Sequence, residues 1–65
     1  MPKKPAKHSA SYALALRLQA ALADDPSLQA DMPSERPGGV IEPTAAFEVR
    51  DAEGRVFRVI VARQH

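Results

Sequence analysis

The clearest pattern of apolar and polar residues lies towards the C-terminal end, on either side of a turn sequence. Phe47 and Val49 alternate with charged residues, and the segment after the turn is rich in β-branched side chains. Residues 51–54 read Asp-Ala-Glu-Gly, with an aspartate to begin a type I turn and a glycine for the positive-φ position that follows. We therefore predict an antiparallel β-hairpin with strands at about 45–51 and 55–63.

The turn also predicts the register of the hairpin. If Asp51 lies opposite Arg55, every apolar residue of one face has an apolar neighbour across the strands. A shift of one residue would place Phe57 in water, so the register should be firmly set. The predicted inner face consists of Ala45, Phe47, Val49, Phe57, Val59 and Val61.

The outer face of the predicted hairpin is less polar than a solvated face usually is. It carries Val56 and Ile60, and it places Glu48 opposite Arg58 as a cross-strand ion pair. A two-stranded sheet is marginally stable alone, and its free edges can pair with another strand. This face and these edges are therefore candidates for contact with a partner.

Residues 9–24 are predicted to form the main helix, because alanine, leucine, arginine and glutamine dominate them. Ser9 is a suitable N-cap, and Ser11 is the alternative. One side of this helix has leucines at positions i, i+4 and i+8 and is predicted to cover the sheet. These leucines are Leu14, Leu18 and Leu22, and Ser11, Ala15 and Ala21 share their face.

The opposite side of the helix is also apolar. It carries Tyr12 and Leu16, whereas a helix that rests on one sheet needs a single apolar stripe. We therefore expect a second surface to cover these two residues.

The rest of the chain predicts turns and loops. Asp25-Pro26 can begin a short second helix or turn at about 26–31, and prolines and glycines make residues 33–39 a loop. Residues 1–8 are predicted to be a flexible basic tail. The fold class is then α+β: one small domain at 9–65, with the main helix packed on one face of the hairpin.

Composition indicates a thin core. The chain has 65 residues, and twelve of its hydrophobic residues are alanine. Small domains often need disulfides, a metal or a partner subunit. The absence of cysteine excludes disulfides and thiolate metal sites, which favours association with another chain. It also fits a reducing compartment, so we expect a cytoplasmic protein.

The N-terminal residues 1–23 have some features of a signal peptide, including early lysines, an apolar stretch and an Ala-Leu-Ala sequence. Arg17 and Gln19 interrupt the apolar stretch, and an amphipathic helix explains the same residues. The stretch is also shorter than the roughly 20 residues that a membrane span needs.

No motif indicates catalysis, cofactor binding or a metal site. The two histidines, His8 and His65, lie near the ends of the chain, outside any constellation of acids, bases or nucleophiles. Gly38-Gly39 lacks the lysine and the preceding strand of a phosphate-binding loop. We therefore predict a chain that is not an enzyme and needs no cofactor.

A nucleic-acid interface is the alternative. A basic arm beside an arginine-bearing β-ribbon can engage a duplex, although the eight acidic residues oppose this. The candidate contacts are Lys3, Lys4, Lys7, Arg50, Arg55, Arg58 and Arg63.

The function that the sequence favours is a protein-interaction module. It would act as a homodimer, or as a small adaptor or inhibitor that docks on a larger protein through the hairpin or through the second side of the helix. The predicted interface residues are Tyr12, Leu16, Arg50, Val56, Arg58 and Ile60.

Overall fold

One helix packs on a four-stranded antiparallel sheet in the computed structural model, which describes residues 8–64. The elements are α1 (Ala10–Ala23), β1 (Gln29–Ala30), β2 (Ser34–Arg36), β3 (Thr44–Arg50) and β4 (Val56–Val61). The α+β class, the main helix and the hairpin are therefore confirmed. Across this described range, no helix has the length and apolar character needed to cross a membrane.

The hairpin of β3 and β4 has the predicted register. Phe47 lies opposite Val59, and the N–H of Asp51 donates to the carbonyl of Arg55 at 3.0 Å. Gly54 has a φ of 84°, which is the conformation that glycine adopts without steric cost. The turn residues and the alternation of apolar residues therefore specify the same register.

The segment after α1 forms a turn, which is the predicted alternative to a short helix at 26–31, and that range contains no helix. Asp25 accepts a hydrogen bond from the N–H of Ser27 at 2.9 Å, and the chain then enters β1. The prediction of a loop at 33–39 was wrong in part, because β2 lies within it. Both strands are too short to show alternation, and their pairing with β3 makes them extended.

Strands β1 and β2 pair with the same edge of β3, since β4 occupies its other edge along 45–50. Ala30 lies opposite Val49 and Ser34 lies opposite Ala46, so residues 31–33 face only residues 47–48. Three residues thus face two, and the extra residue makes this segment a β-bulge. Pro33, which has no N–H to donate, lies in the bulge. The sheet is therefore three rows wide, with β3 in the centre.

The core lies between α1 and β3, and it is small. Its buried hydrophobic residues are Ala15, Ala45, Phe47 and Val49. Tyr12 and Leu22 pack against this cluster from the helix. The small side chains of Ala15 and Ala45 allow the helix to lie close to the sheet.

Two expectations about burial were wrong. Leu14 and Leu18 do not cover the sheet, because the predicted helix face approaches it through Ser11 and Ala15, which are buried. Phe57 has the predicted register opposite Val49, but 54% of its surface is exposed because the helix does not cover β4 there. Large apolar side chains are therefore left on the surface beside a core built partly from alanine.

Candidate interaction surface

Strand β4 is an open edge of the sheet: within residues 8–64, no strand pairs with its outer side. Hydrogen-bonding direction alternates along an antiparallel strand. Because Arg55 bonds to Asp51, the residues two and four positions after it also bond across the hairpin. The N–H and C=O groups of Phe57 and Val59 therefore point to β3. The corresponding groups of the alternate residues point away from β3 and are available to a partner strand. These residues are Val56, Arg58 and Ile60.

The opposite edge of β3 confirms this assignment independently. The carbonyl of Glu48 accepts from the N–H of Asp31 at 2.9 Å, on the β1 and β2 side. Since Glu48 lies opposite Arg58, that pair does not bond across the hairpin, and the backbone groups of Arg58 point outward.

Exposed apolar side chains surround this edge on both faces of the sheet. Val56, Phe57 and Ile60 are 50%, 54% and 61% exposed, and Leu14 and Leu18 on the helix are 49% and 39% exposed. We call these five side chains, together with the outward backbone groups of β4, the β4 edge surface. Scattered exposed apolar residues are ordinary on proteins, but a cluster beside unpaired strand groups is typical of an interaction site.

The two flanks of α1 explain why Leu14 and Leu18 belong to this surface. On one flank, the side-chain amide of Gln19 donates to the carbonyl of Ala30 in β1 at 2.9 Å. On the other flank, Leu14 lines a shallow apolar groove together with Val61 at the end of β4. Leu18 lies one turn further along the same flank as Leu14.

The predicted interface residues separate into two groups. Those of the hairpin lie together on the outer face of the sheet, and they are Arg50, Val56, Arg58 and Ile60. Tyr12 and Leu16 are half-buried on the flank of α1 that faces β1 and β2, and the ring of His8 stacks on Tyr12 with centroids 4.0 Å apart. The two predicted surfaces are therefore not parts of one site.

Sequence reasoning missed three members of the β4 edge surface: Leu14, Leu18 and Phe57. Ser11 and Ala15 were predicted on the same helix face as the leucines, but the spacing did not show that the sheet approaches the two small residues and leaves Leu14 and Leu18 exposed. For Phe57, the predicted register was correct, but the sequence did not show that α1 leaves β4 uncovered at this position.

Two glutamates hold the start of α1 in place, one from β2 and one from the loop before β3. Oε2 of Glu35 accepts from the N–H of Ser9 at 2.7 Å, and Oε2 of Glu42 accepts from the hydroxyl and the N–H of Ser11, both at 2.8 Å. Ser9 is also the N-cap, as predicted, because its hydroxyl accepts from the N–H of Tyr12. Distant carboxylates thus bind the amides of Ser9 and Ser11, and the N-cap itself binds that of Tyr12.

These hydrogen bonds favour the charged form of each carboxylate. The N–H of Ser9, followed by His8, holds the pKa of Glu35 below its ordinary value. The hydroxyl of Ser11, followed by its N–H, lowers the pKa of Glu42. Both groups therefore serve to anchor the helix.

Asp25 has a similar local role in the turn after α1. The backbone N–H of Ser27, followed by its hydroxyl, lowers the pKa of Asp25. In the part of the chain that the structure describes, no group of three or more histidine, cysteine or acidic side chains could hold a metal ion.

Most of the arginines predicted to contact nucleic acid are engaged by carboxylates. Arg55 contacts Asp51 at 2.6 Å and Glu53 at 3.3 Å. Arg58 contacts Glu48 and Arg63 contacts Glu42, each at 3.4 Å. These exposed pairs reduce the positive potential of the hairpin.

The remaining candidates for nucleic-acid contact are less constrained. Arg50 forms no ion pair with any residue in the range 8–64. Lys3, Lys4 and Lys7 lie outside the described residues.

Comparisons with protein-family models, with curated proteins and with solved structures found no match to this chain. A functional hypothesis therefore depends on its own surface, and the β4 edge surface is its most distinctive feature.

Proposed function

We propose that this chain is a non-enzymatic protein-interaction module that binds a protein partner through the β4 edge surface. The observation that carries the proposal is the combination of outward N–H and C=O groups with exposed apolar side chains on both faces of one edge strand. Addition of a strand to an open sheet edge is a common mode of protein recognition, in which backbone hydrogen bonds supply affinity and flanking side chains supply specificity.

The small core supports the same proposal. Only Ala15, Ala45, Phe47 and Val49 are buried hydrophobic residues in the described part of the chain. Ordering a residue costs about 1.5 kcal/mol, and a domain of this size offsets that cost narrowly. A partner that covers Phe57 and Ile60 would add apolar burial that the isolated chain does not have.

The partner is a second copy in a homodimer, or a larger protein on which the chain docks as an adaptor or inhibitor. The cysteine-free sequence suits a reducing compartment, so we place the module in the cytoplasm. Nucleic-acid binding is the alternative, with less support, because carboxylates engage Arg55, Arg58 and Arg63.

A pair of matched variants tests the proposed surface. Ile60→Lys places a charge on the β4 edge surface, and Met32→Lys places one at a similarly exposed residue, 65% against 61%, in the bulge on the opposite edge. Each variant and the unmodified chain are immobilised and used to capture proteins, including added copies of the chain itself, from a lysate of the native host. Circular dichroism checks that all three are folded.

The proposal predicts that Met32→Lys retains the proteins bound by the unmodified chain and that Ile60→Lys loses them. Equal capture by Ile60→Lys would show that β4 is not the binding surface.

A further inference from the structure

We propose that the partner at the β4 edge surface is a second copy of this chain, paired antiparallel through β4 about a two-fold axis at Val59. Self-pairing rests on the proposed function, because it uses the same surface. It adds the identity of the partner and the register in which the strands meet.

The two edges of the sheet differ in a way that points to strand pairing at β4. The β1 and β2 edge is interrupted by the bulge and by Pro33, which are devices that prevent edge-to-edge pairing. Strand β4 has no proline, no lysine and no bulge against β3, and Arg58 is its one charged residue. One edge is therefore blocked, and the other is open and mostly apolar.

A two-fold axis perpendicular to the sheet matches this edge to itself. It makes the two β4 strands antiparallel and places both helices on the same face of the joined sheet. The outward N–H and C=O groups of Arg58 and Ile60 in one copy then bond to those of the second copy. Inner-face residues meet inner-face residues, so the apolar sides of the two copies are continuous.

Charge and shape select among the registers that satisfy these bonds. An axis at Arg58 places two like charges directly opposite each other, which is destabilising. An axis at Ile60 places Phe57 opposite Arg63 of the second copy and shortens the paired region. An axis at Val59 places Phe57 opposite Val61 of the second copy and separates the two Arg58 side chains.

The Val59 register also fills the space between the helices. Since α1 packs chiefly on β3, the two helices would lie about three strand spacings, or roughly 14 Å, apart. Helices in direct contact are about 8–10 Å apart, so a gap remains above β4. Leu14, Leu18 and Phe57 of both copies border this gap, which accounts for three large side chains that the single chain leaves exposed.

The register is tested with single-cysteine variants, because the chain has no cysteine of its own. A cysteine on the axis lies opposite itself at a Cα separation of about 4.5 Å at Val59 and about 5.5 Å at Ile60, and both separations suit a disulfide. The variants are Val59→Cys and Ile60→Cys, each centred on one register. The Arg58 register is tested by the mixed disulfide of Phe57→Cys with Val59→Cys, which face each other about an axis at Arg58 and keep that arginine in place. Met32→Cys on the blocked edge measures cross-linking by random collision.

The proposal predicts that Val59→Cys forms a disulfide-linked dimer on mild oxidation on the order of 100-fold faster than Met32→Cys, because pairing raises the local thiol concentration from about 10 micromolar to about 1 millimolar. Ile60→Cys, and the mixed disulfide of Phe57→Cys with Val59→Cys, should form at rates close to the Met32→Cys rate. Fastest cross-linking in either of these two reactions would overturn the Val59 register.

A second pair of variants covers the case in which Val59→Cys does not fold. Phe57→Cys and Val61→Cys face each other across the proposed axis, so each should cross-link slowly alone and rapidly when the two proteins are mixed. Failure of the mixture to cross-link faster than Met32→Cys would overturn the arrangement.

Sedimentation equilibrium of the unmodified chain at micromolar concentration accompanies these reactions. A dimer is expected, and a monomer throughout the range would overturn the second copy as partner. The proposed function would still stand in that case if Ile60→Lys lost a captured protein other than this chain, and it would fail if no capture depended on Ile60.

Discussion

Two phenylalanines on the same face of neighbouring strands should contribute very differently to stability. Phe47 is 4% exposed beneath α1, whereas Phe57 is 54% exposed on β4. We compare Phe47→Ala with Phe57→Ala, both in the Ile60→Lys background, so that association through β4 does not contribute.

The expected magnitudes follow from burial. Truncation of a buried phenylalanine costs about 3–5 kcal/mol, because it removes apolar contacts and leaves a cavity. Full burial of such a side chain is worth roughly 1.5–3 kcal/mol. Since Phe57 is less than half buried and its loss leaves no enclosed cavity, Phe57→Ala should cost about 1 kcal/mol. Total stability for 65 residues is roughly 3–10 kcal/mol, so Phe47→Ala should remove a large share of it.

Urea unfolding followed by far-ultraviolet circular dichroism measures both variants. In thermal scans, 1 kcal/mol corresponds to roughly 4–8 °C for a domain of this size, so the two should be clearly separated. Equal losses, or a larger loss for Phe57→Ala, would refute the placement of the core under α1 alone.

Three further predictions concern the helix and the alternative function. Ala15→Leu should destabilise the fold by about 1–3 kcal/mol in urea unfolding because Ala15 is fully buried, whereas Ala13→Leu on the exposed side of the helix should change it little; equal effects would contradict the packing. The pKa of Glu42 is lowered below its usual 4.5, so its stabilising contribution is present above that pH and is lost as the pH falls through the lower folded-state pKa. Glu42→Gln should therefore flatten the decline in the free energy of unfolding as the pH falls below about 5. An unchanged decline would contradict the anchoring of Ser11 by this carboxylate. Binding to random duplex DNA, titrated by fluorescence anisotropy at about 50 mM salt, should be absent; strong, salt-dependent binding would favour the nucleic-acid alternative.

Features that depend on neighbouring residues were predictable from the sequence. The hairpin register follows from Asp51, Gly54 and the alternation on either side of them. The start of α1 follows from the capping preference of Ser9. In each case the interacting groups lie within a few residues, so the sequence contains most of the relevant geometry.

Features that depend on distant contacts were not predictable in the same way. The spacing in α1 predicted the face that carries Ser11, Ala15 and the leucines, but it did not show that the sheet lies against the two small residues and leaves Leu14 and Leu18 exposed. Strands β1 and β2 have no pattern of their own and are extended because β3 offers them an open edge. The binding of Glu35 and Glu42 to the helix start joins residues more than twenty positions apart.

Of the candidate site, the outer-face residues Val56 and Ile60 were predicted and are exposed. Its extent was not, because it depends on which strand becomes the free edge. A lone hairpin has two open edges, and only the pairing of β1 and β2 with β3 leaves β4 as the open one.

Amide hydrogen exchange of β4, measured by NMR as a function of protein concentration, is the most direct test of whether a partner strand pairs with β4. The outward N–H groups of Arg58 and Ile60 should exchange rapidly in dilute solution and become protected as the concentration rises. The N–H groups of Phe57 and Val59, which bond to β3, should be protected throughout and serve as the internal reference. If Arg58 and Ile60 remained unprotected at every concentration and in the presence of captured partners, the β4 edge would not be the interaction site.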